Sequence, residues 1–163
     1  MFHLFKKYKH KVKQNLYALT DGTLLPLDKV HDQIFSNHVM GEGFALYPEN
    51  HQIYSPASGT VTMLFPTKHA IGLTLDNGLE LLIHLGIDTV ELDGKPFELF
   101  VNQGEHIEAG ALLATMDCQM IQEMGKTCEC IVVCTNGQSL DALVIEDYKD
   151  VKAKESIGNI LNK

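Results

Sequence analysis

His84 interrupts the apolar run ELLIHLGIDTVEL (80–92) with a titratable ring, and Asp88 follows four residues later. Fifteen residues upstream, the stretch TKHA (67–70) carries Thr67 and His69. A neutral imidazole nitrogen can attack phosphorus and hold the phosphoryl group as phosphohistidine. Its other nitrogen must then stay protonated and anchored, often on a backbone carbonyl. A second histidine can donate to the phosphoryl oxygens, and a threonine hydroxyl can orient that second ring. Positioning and charge stabilisation do most of the work in such a transfer. Zinc is the competing chemistry. Two histidines on one face can hold it, but a site wants at least a third protein ligand, and no H-E-x-x-H or H-x-H pattern occurs.

These side chains must be brought together by strands. Asn77-Gly78 lies between AIGLTL (70–75) and LELLIHL (79–85) and predicts a two-residue type I′ hairpin. That turn sets Ile71 opposite His84 and makes His69 and His84 diagonal neighbours on one face. Shifting the turn to Asp76-Asn77 sets the two histidines directly opposite. Either register keeps Thr67, His69 and His84 on one face, whereas a three-residue turn would not. Leu79, Leu81, Ile83 and Leu85 alternate onto the other face and read as core, so the His84 face is the reachable one.

Turn signals recur through the rest of the chain (DG at 21–22, SG at 58–59, QG at 103–104, NG at 136–137), separating short β-rich segments. The pattern predicts an all-β sandwich or barrel. Helix is confined to a turn near His31–Phe35 and a short helix near Cys118–Met124. Cys128, Cys130 and Cys134 share parity, so on a strand they face one way as small apolar filler; Cys118 lies apart. No C-x-x-C pair supports a zinc site.

Length and composition suit one globular domain: 163 residues, 45% hydrophobic, 21% charged. No run approaches the roughly 18 apolar residues a membrane span needs, no export signal is visible, and the chain reads as cytoplasmic. The formal net charge is −8, yet Lys6, Lys7, Lys9, Lys11 and Lys13 crowd the start with no acid among them. The remainder is therefore more acidic than the total, which argues against nucleic acid as the main partner. Residues 1–16 are read as a basic tail, either disordered or an amphipathic helix on an anionic membrane that would make the protein peripheral to it. Residues 17–163 are read as the domain.

The stretches SPASGTV (55–61) and GEHIEAGALLATMD (104–117) look like the two half-motifs of biotinyl and lipoyl carriers. The hairpin-tip lysine those carriers need is missing, so the likeness points to a duplicated, barrel-sandwich hybrid rather than to a prosthetic arm. Four blocks occur in order: SNHVMGEGFALYP (36–48), SPASGTVTMLFPTKHAIGL (55–73), ELLIHLGIDTVELDGKPF (80–97) and VNQGEHIEAGALLATMD (101–117). On these, residues 17 to about 145 resemble the glucose-family IIA component of the bacterial sugar phosphotransferase system.

The resemblance implies an antiparallel β-sandwich and a phosphocarrier. Such a protein takes phosphate from the small carrier HPr and passes it to a IIB domain of a sugar permease. By matching position His84 is the phosphorylated residue, His69 stabilises the phosphoryl group, Thr67 is hydrogen-bonded to His69, and Asp88 is the acid near the site. Phe35, Val39, Met40, Phe65, Leu82 and Val90 are implied as an apolar docking ring. No cofactor is obligatory, although His69 and His84 can share a zinc ion supplied at a partner interface. The chain is read as a free-standing subunit. The alternative is a regulatory binder that keeps the fold and the histidine surface without sugar transport. Leu85 stands where the family usually has Phe, which should alter packing beside His84. TCECIVVCTN (127–136) and residues 142–163 depart from the pattern and are assigned to the distal edge of the sheet, away from the site.

Overall fold

Alternation along residues 80–87 sets which face of the main sheet is core. Leu81, Ile83 and Leu85 are at most 2% exposed, while Glu80 is exposed and Leu82 and His84 are half-buried. The structure is a computed structural model and describes residues 10–163. Its strands, in chain order, are β1 (Lys13–Tyr17), β2 (Gly22–Leu25), β3 (Gly43–Pro48), β4 (Gln52–Tyr54), β5 (Gly59–Leu64), β6 (Ala70–Leu75), β7 (Glu80–Ile87), β8 (Phe97–Leu99), β9 (His106–Ile107), β10 (Leu112–Met116), β11 (Thr127–Cys134), β12 (Leu140–Ile145), β13 (Asp150–Val151) and β14 (Ser156–Asn162). Among the described residues the short α-helices are α1 (Gln33–Ser36), which overlaps the expected turn and runs one residue past it, and α2 (Cys118–Glu123), inside the expected stretch. No helix among the described residues is long and apolar enough to cross a membrane.

Every strand pairing is antiparallel. An eight-stranded sheet runs β13-β2-β3-β11-β7-β6-β5-β9, and two three-stranded sheets run β1-β14-β12 and β4-β10-β8. The main core joins residues from all three, including Leu16, Phe44, Ile53, Ile83, Leu85, Met116 and Ile160. This is the antiparallel β-sandwich that the turn spacing and the resemblance predict. The two half-motifs meet in it: Gly59 pairs with Ile107, and Ser55 N–H donates to the Ala111 carbonyl at 2.8 Å.

Three expectations need correction. The hairpin after β6 is not a type I′ turn. Ala70, not Ile71 or His69, stands opposite His84, and Leu75 N–H donates to the Leu79 carbonyl around a three-residue loop, 76–78. A type I′ turn needs positive φ at both central residues; here Gly78 has it at +86° and Asn77 does not. Asn77 is instead held by tertiary bonds. Its N–H donates to Gln14 Oε1 at 2.7 Å and its amide to the Val12 carbonyl at 2.9 Å.

Second, the boundary at residue 16 falls inside a strand. Lys13 pairs with Leu161 and Gln14 with Ile160, so the folded body takes in part of the basic segment. Residues 1–9 of the expected tail lie outside the described residues.

Third, TCECIVVC is no edge. β11 is central, between β3 and β7, and Ile131 stands opposite His84. Cys128, Cys130 and Cys134 do share one buried face, packed into the main core. Ile131 and Val133 face the other way, into a second apolar cluster with Leu27, Val30, Phe35, Ala45 and Ile87. A continuous buried run of this kind is what a strand covered on both faces looks like.

Candidate phosphotransfer site

The end of β7 fixes His84. Gly86 turns left-handed at φ +78°, and its carbonyl lies 2.6 Å from His84 Nδ1. A carbonyl only accepts, so Nδ1 carries the proton and Nε2 keeps its lone pair. A side chain at 86 would be strained by that φ, and a Cβ there would lie 2.5 Å from Thr89 Cγ2 and 2.9 Å from the Thr127 carbonyl. Thr89 is fully buried, and its hydroxyl donates to the Leu85 carbonyl at 2.5 Å, stitching the turn. The bulge in β11 between Thr127 and Cys130 faces this same turn.

His69 reaches His84 by a different route from the one strand parity suggests. It precedes β6, and Lys68 before it is left-handed at φ +58°, so strict alternation does not govern it. Leu85 N–H donates to the His69 carbonyl at 2.7 Å, which anchors its backbone. The two imidazole rings meet edge to face with centroids 5.1 Å apart. Ala70, opposite His84, is small enough to leave that space open. Thr67 Oγ1 lies 2.5 Å from His69 Nδ1. With the hydroxyl donating, His69 presents Nε2–H as a donor.

Burial pushes the His84 imidazole below the ordinary histidine range, and the Gly86 carbonyl and the Asp32 and Asp88 carboxylates pull weakly the other way. Burial lowers His69 too, with the charge of a protonated His84 as a further cause. Both rings are therefore neutral near pH 7. A neutral pair gives one nucleophilic nitrogen and one neutral donor, the combination phosphorus chemistry uses.

The rings open into a depression of about 320 Å³ lined by Asp32, Ile34, Phe35, Met40, Phe65, His69, Ala70, Leu82, His84, Asp88 and Val90. Five of the six expected ring residues are in that lining. Val39 is 71% exposed but lies outside it. Phe35 is a wall rather than an exposed anchor: it is 7% exposed and packs edge-on to the His84 ring at 5.1 Å. Phe65 packs on His69 at 5.3 Å. Asp88 is exposed and left-handed at φ +59°. Ile34 and Asp32 are additions the sequence reading did not contain. Asp32 caps α1 by accepting from Ile34 N–H at 2.9 Å, a bond an Asp before a short apolar run could have signalled. Leu85 is fully buried on the core side, so the departure from Phe there is a packing difference. Among the described residues, no group of three or more His, Cys, Asp or Glu gathers as a metal site.

The family model for the phosphoenolpyruvate-dependent sugar phosphotransferase system, EIIA 1, matches residues 14–140. The chain belongs to this EIIA family. It is 38% identical over 158 residues to a glucose-specific EIIA component of Staphylococcus epidermidis, covering 94% of this chain and 95% of that one. It is 41% identical over 147 residues to a glucose-specific EIICBA component of Streptococcus pneumoniae, covering 90% of this chain and 20% of that longer one. The solved glucose permease IIA of Mycoplasma capricolum superposes with a TM-score of 0.83 at 34% identity, covering 92% of this chain and 96% of that one. As an EIIA chain it is a phosphotransferase, a phosphocarrier of the sugar uptake system.

Proposed function

We propose that His84 is the residue that carries the phosphoryl group and that its donor is the phosphocarrier HPr. The His84 Nε2 lone pair forms a bond to phosphorus as the bond from phosphorus to the donor breaks. The Nδ1–H bond to Gly86 disperses the charge that the ring gains. His69, oriented by Thr67, donates from Nε2–H to a phosphoryl oxygen. The reverse displacement then hands the group to a IIB domain, as the fused B and A units of the Streptococcus pneumoniae relative suggest. Asp88 and Asp32 rim the depression and orient basic groups of an incoming partner. Ile34, Met40, Phe65, Leu82 and Val90 supply the apolar contact, with Val39 beside it. We place the protein in the cytoplasm, where these carriers meet; the basic segment of residues 1–16 would add contact with an anionic membrane.

The observation that carries this reading is the single bond from His84 Nδ1 to the Gly86 carbonyl, because it commits Nε2 to nucleophilic attack. Zinc fits the site only with outside help: two histidine ligands fall short of the three or four zinc prefers, so the rest must come from a docked partner. The test is phosphate acceptance. The chain is mixed with phosphoenolpyruvate, enzyme I and HPr, and acid-labile, base-stable label is mapped by mass spectrometry. Label on His84 supports the proposal; phosphorylated HPr with no label on this chain sinks it and favours a regulatory binder.

A further inference from the structure

We propose that Cys118 and Cys128 form a reversible disulfide when the protein meets a peroxide. Cys118 opens α2 and Cys128 lies at the start of β11, where two residues, Cys128 and Glu129, stand against Gly86 alone. The Cys128 thiol donates to the Cys118 carbonyl at 3.4 Å, which sets its sulfur against Cys118. The pair is asymmetric. Cys118 is half-buried and reachable; Cys128 is 1% exposed. Contact with Cys128 and the nearby His51 hold the Cys118 thiol below the ordinary cysteine range against burial and Asp117, while the same contact and burial push Cys128 up. One sulfur is thus placed to react with a small oxidant and the other to resolve the product.

The chemistry balances. The Cys118 thiolate attacks one oxygen of hydrogen peroxide, the O–O bond breaks, and the released hydroxide takes a proton to become water. Cys118 is oxidised to the sulfenic acid. The Cys128 sulfur then attacks the Cys118 sulfur, the S–O bond breaks, and the hydroxyl leaves with the Cys128 proton as a second water. Two thiols have lost two electrons to the peroxide. Cys130 and Cys134 are fully buried with thiols pushed up by burial, which removes them from competition.

The inference is independent of the phosphotransfer roles of the histidines. The whole chain is treated with a slight excess of hydrogen peroxide, remaining thiols are alkylated, and the digest is read by mass spectrometry. The expected product is a peptide pair joined at Cys118 and Cys128, lighter by two hydrogens and separated by dithiothreitol. In the Cys128→Ala variant a dimedone adduct accumulates on Cys118 instead. Wild-type protein that resists peroxide at Cys118, or that carries sulfenic or sulfinic acid there without the cross-link, overturns the inference, and that wild-type result stands even if the variant does not fold.

Discussion

The His84 imidazole is held by a carbonyl only two residues away, that of Gly86, at 2.6 Å. The bond exists because Gly86 adopts a left-handed conformation that turns its carbonyl back toward the ring. Gly86→Ala therefore meets both φ strain and contact with Thr89 and the Thr127 carbonyl. We expect a loss of about 1–3 kcal/mol in stability from the backbone strain alone. Urea unfolding checks it; a loss under about 0.5 kcal/mol would show that the turn relaxes freely.

Thr89 tests the same turn from the other side. Thr89→Val keeps the shape but loses the hydroxyl that holds the Leu85 carbonyl. Phosphate acceptance should slow, and the nitrogen resonances of His84 should show loss of the single Nδ1–H tautomer. Thr89→Ser should restore both. A variant that is merely less stable, with His84 unchanged, would remove Thr89 from any positioning role.

How the two histidines meet was only partly legible in the sequence. Their residue types and the strand around His84 could be read directly, because β7 alternates cleanly and its buried face is continuous. The register could not, because Asn77 is recruited by Gln14 and Val12, partners more than sixty residues away. The true loop is the three-residue kind whose parity separates the histidines, and Lys68 undoes that separation by leaving strand geometry just before His69. β11 was misplaced for a related reason. Its cysteines depart from the family pattern, and only the sheet order reveals that they back the site strand.

His69→Gln should still accept phosphate and pass it on poorly. The amide keeps a hydrogen bond to the phosphoryl oxygens but not the imidazole's protonation. Thr67→Val should move in the same direction, more weakly, since it removes the bond that fixes the His69 tautomer. Rapid-quench measurement of acceptance and onward transfer separates the two steps. A His69→Gln chain that accepts nothing would show that His69 is needed for the first step.

The pH dependence follows from burial. Both site histidines titrate below the ordinary value near 6.5, so His84 keeps its lone pair as pH falls through that value. Acceptance should lose its rate only below about pH 6.5. Stability carries the matching sign. An unfolded histidine takes up its proton near pH 6.5 while folded His84 resists, so its contribution is present above that pH and is lost as pH falls toward the folded value. Comparing wild type with His84→Gln isolates the effect from His38 and His106, whose carboxylate partners raise them. The difference should shift against wild type below pH 6.5; a constant difference would contradict neutral burial.

Val90→Glu should weaken docking without unfolding the protein. Val90 is 48% exposed and lines the depression. A charge buried on docking should raise KM for phosphorylated HPr about tenfold or more, worth at least about 1.4 kcal/mol, while stability stays within about 0.5 kcal/mol. Val144→Glu, at an equally exposed valine on β12, should leave KM unchanged. Equal effects at both positions would deny the site face any special role in docking.

The central claim is that His84 carries phosphate on the nitrogen left free by Gly86. It is tested by nitrogen-15 and phosphorus-31 NMR of the chain phosphorylated through HPr. The account predicts phosphorus bonded to Nε2 of His84, with Nδ1 still protonated. A phosphoryl group on Nδ1, or on His69, would contradict it.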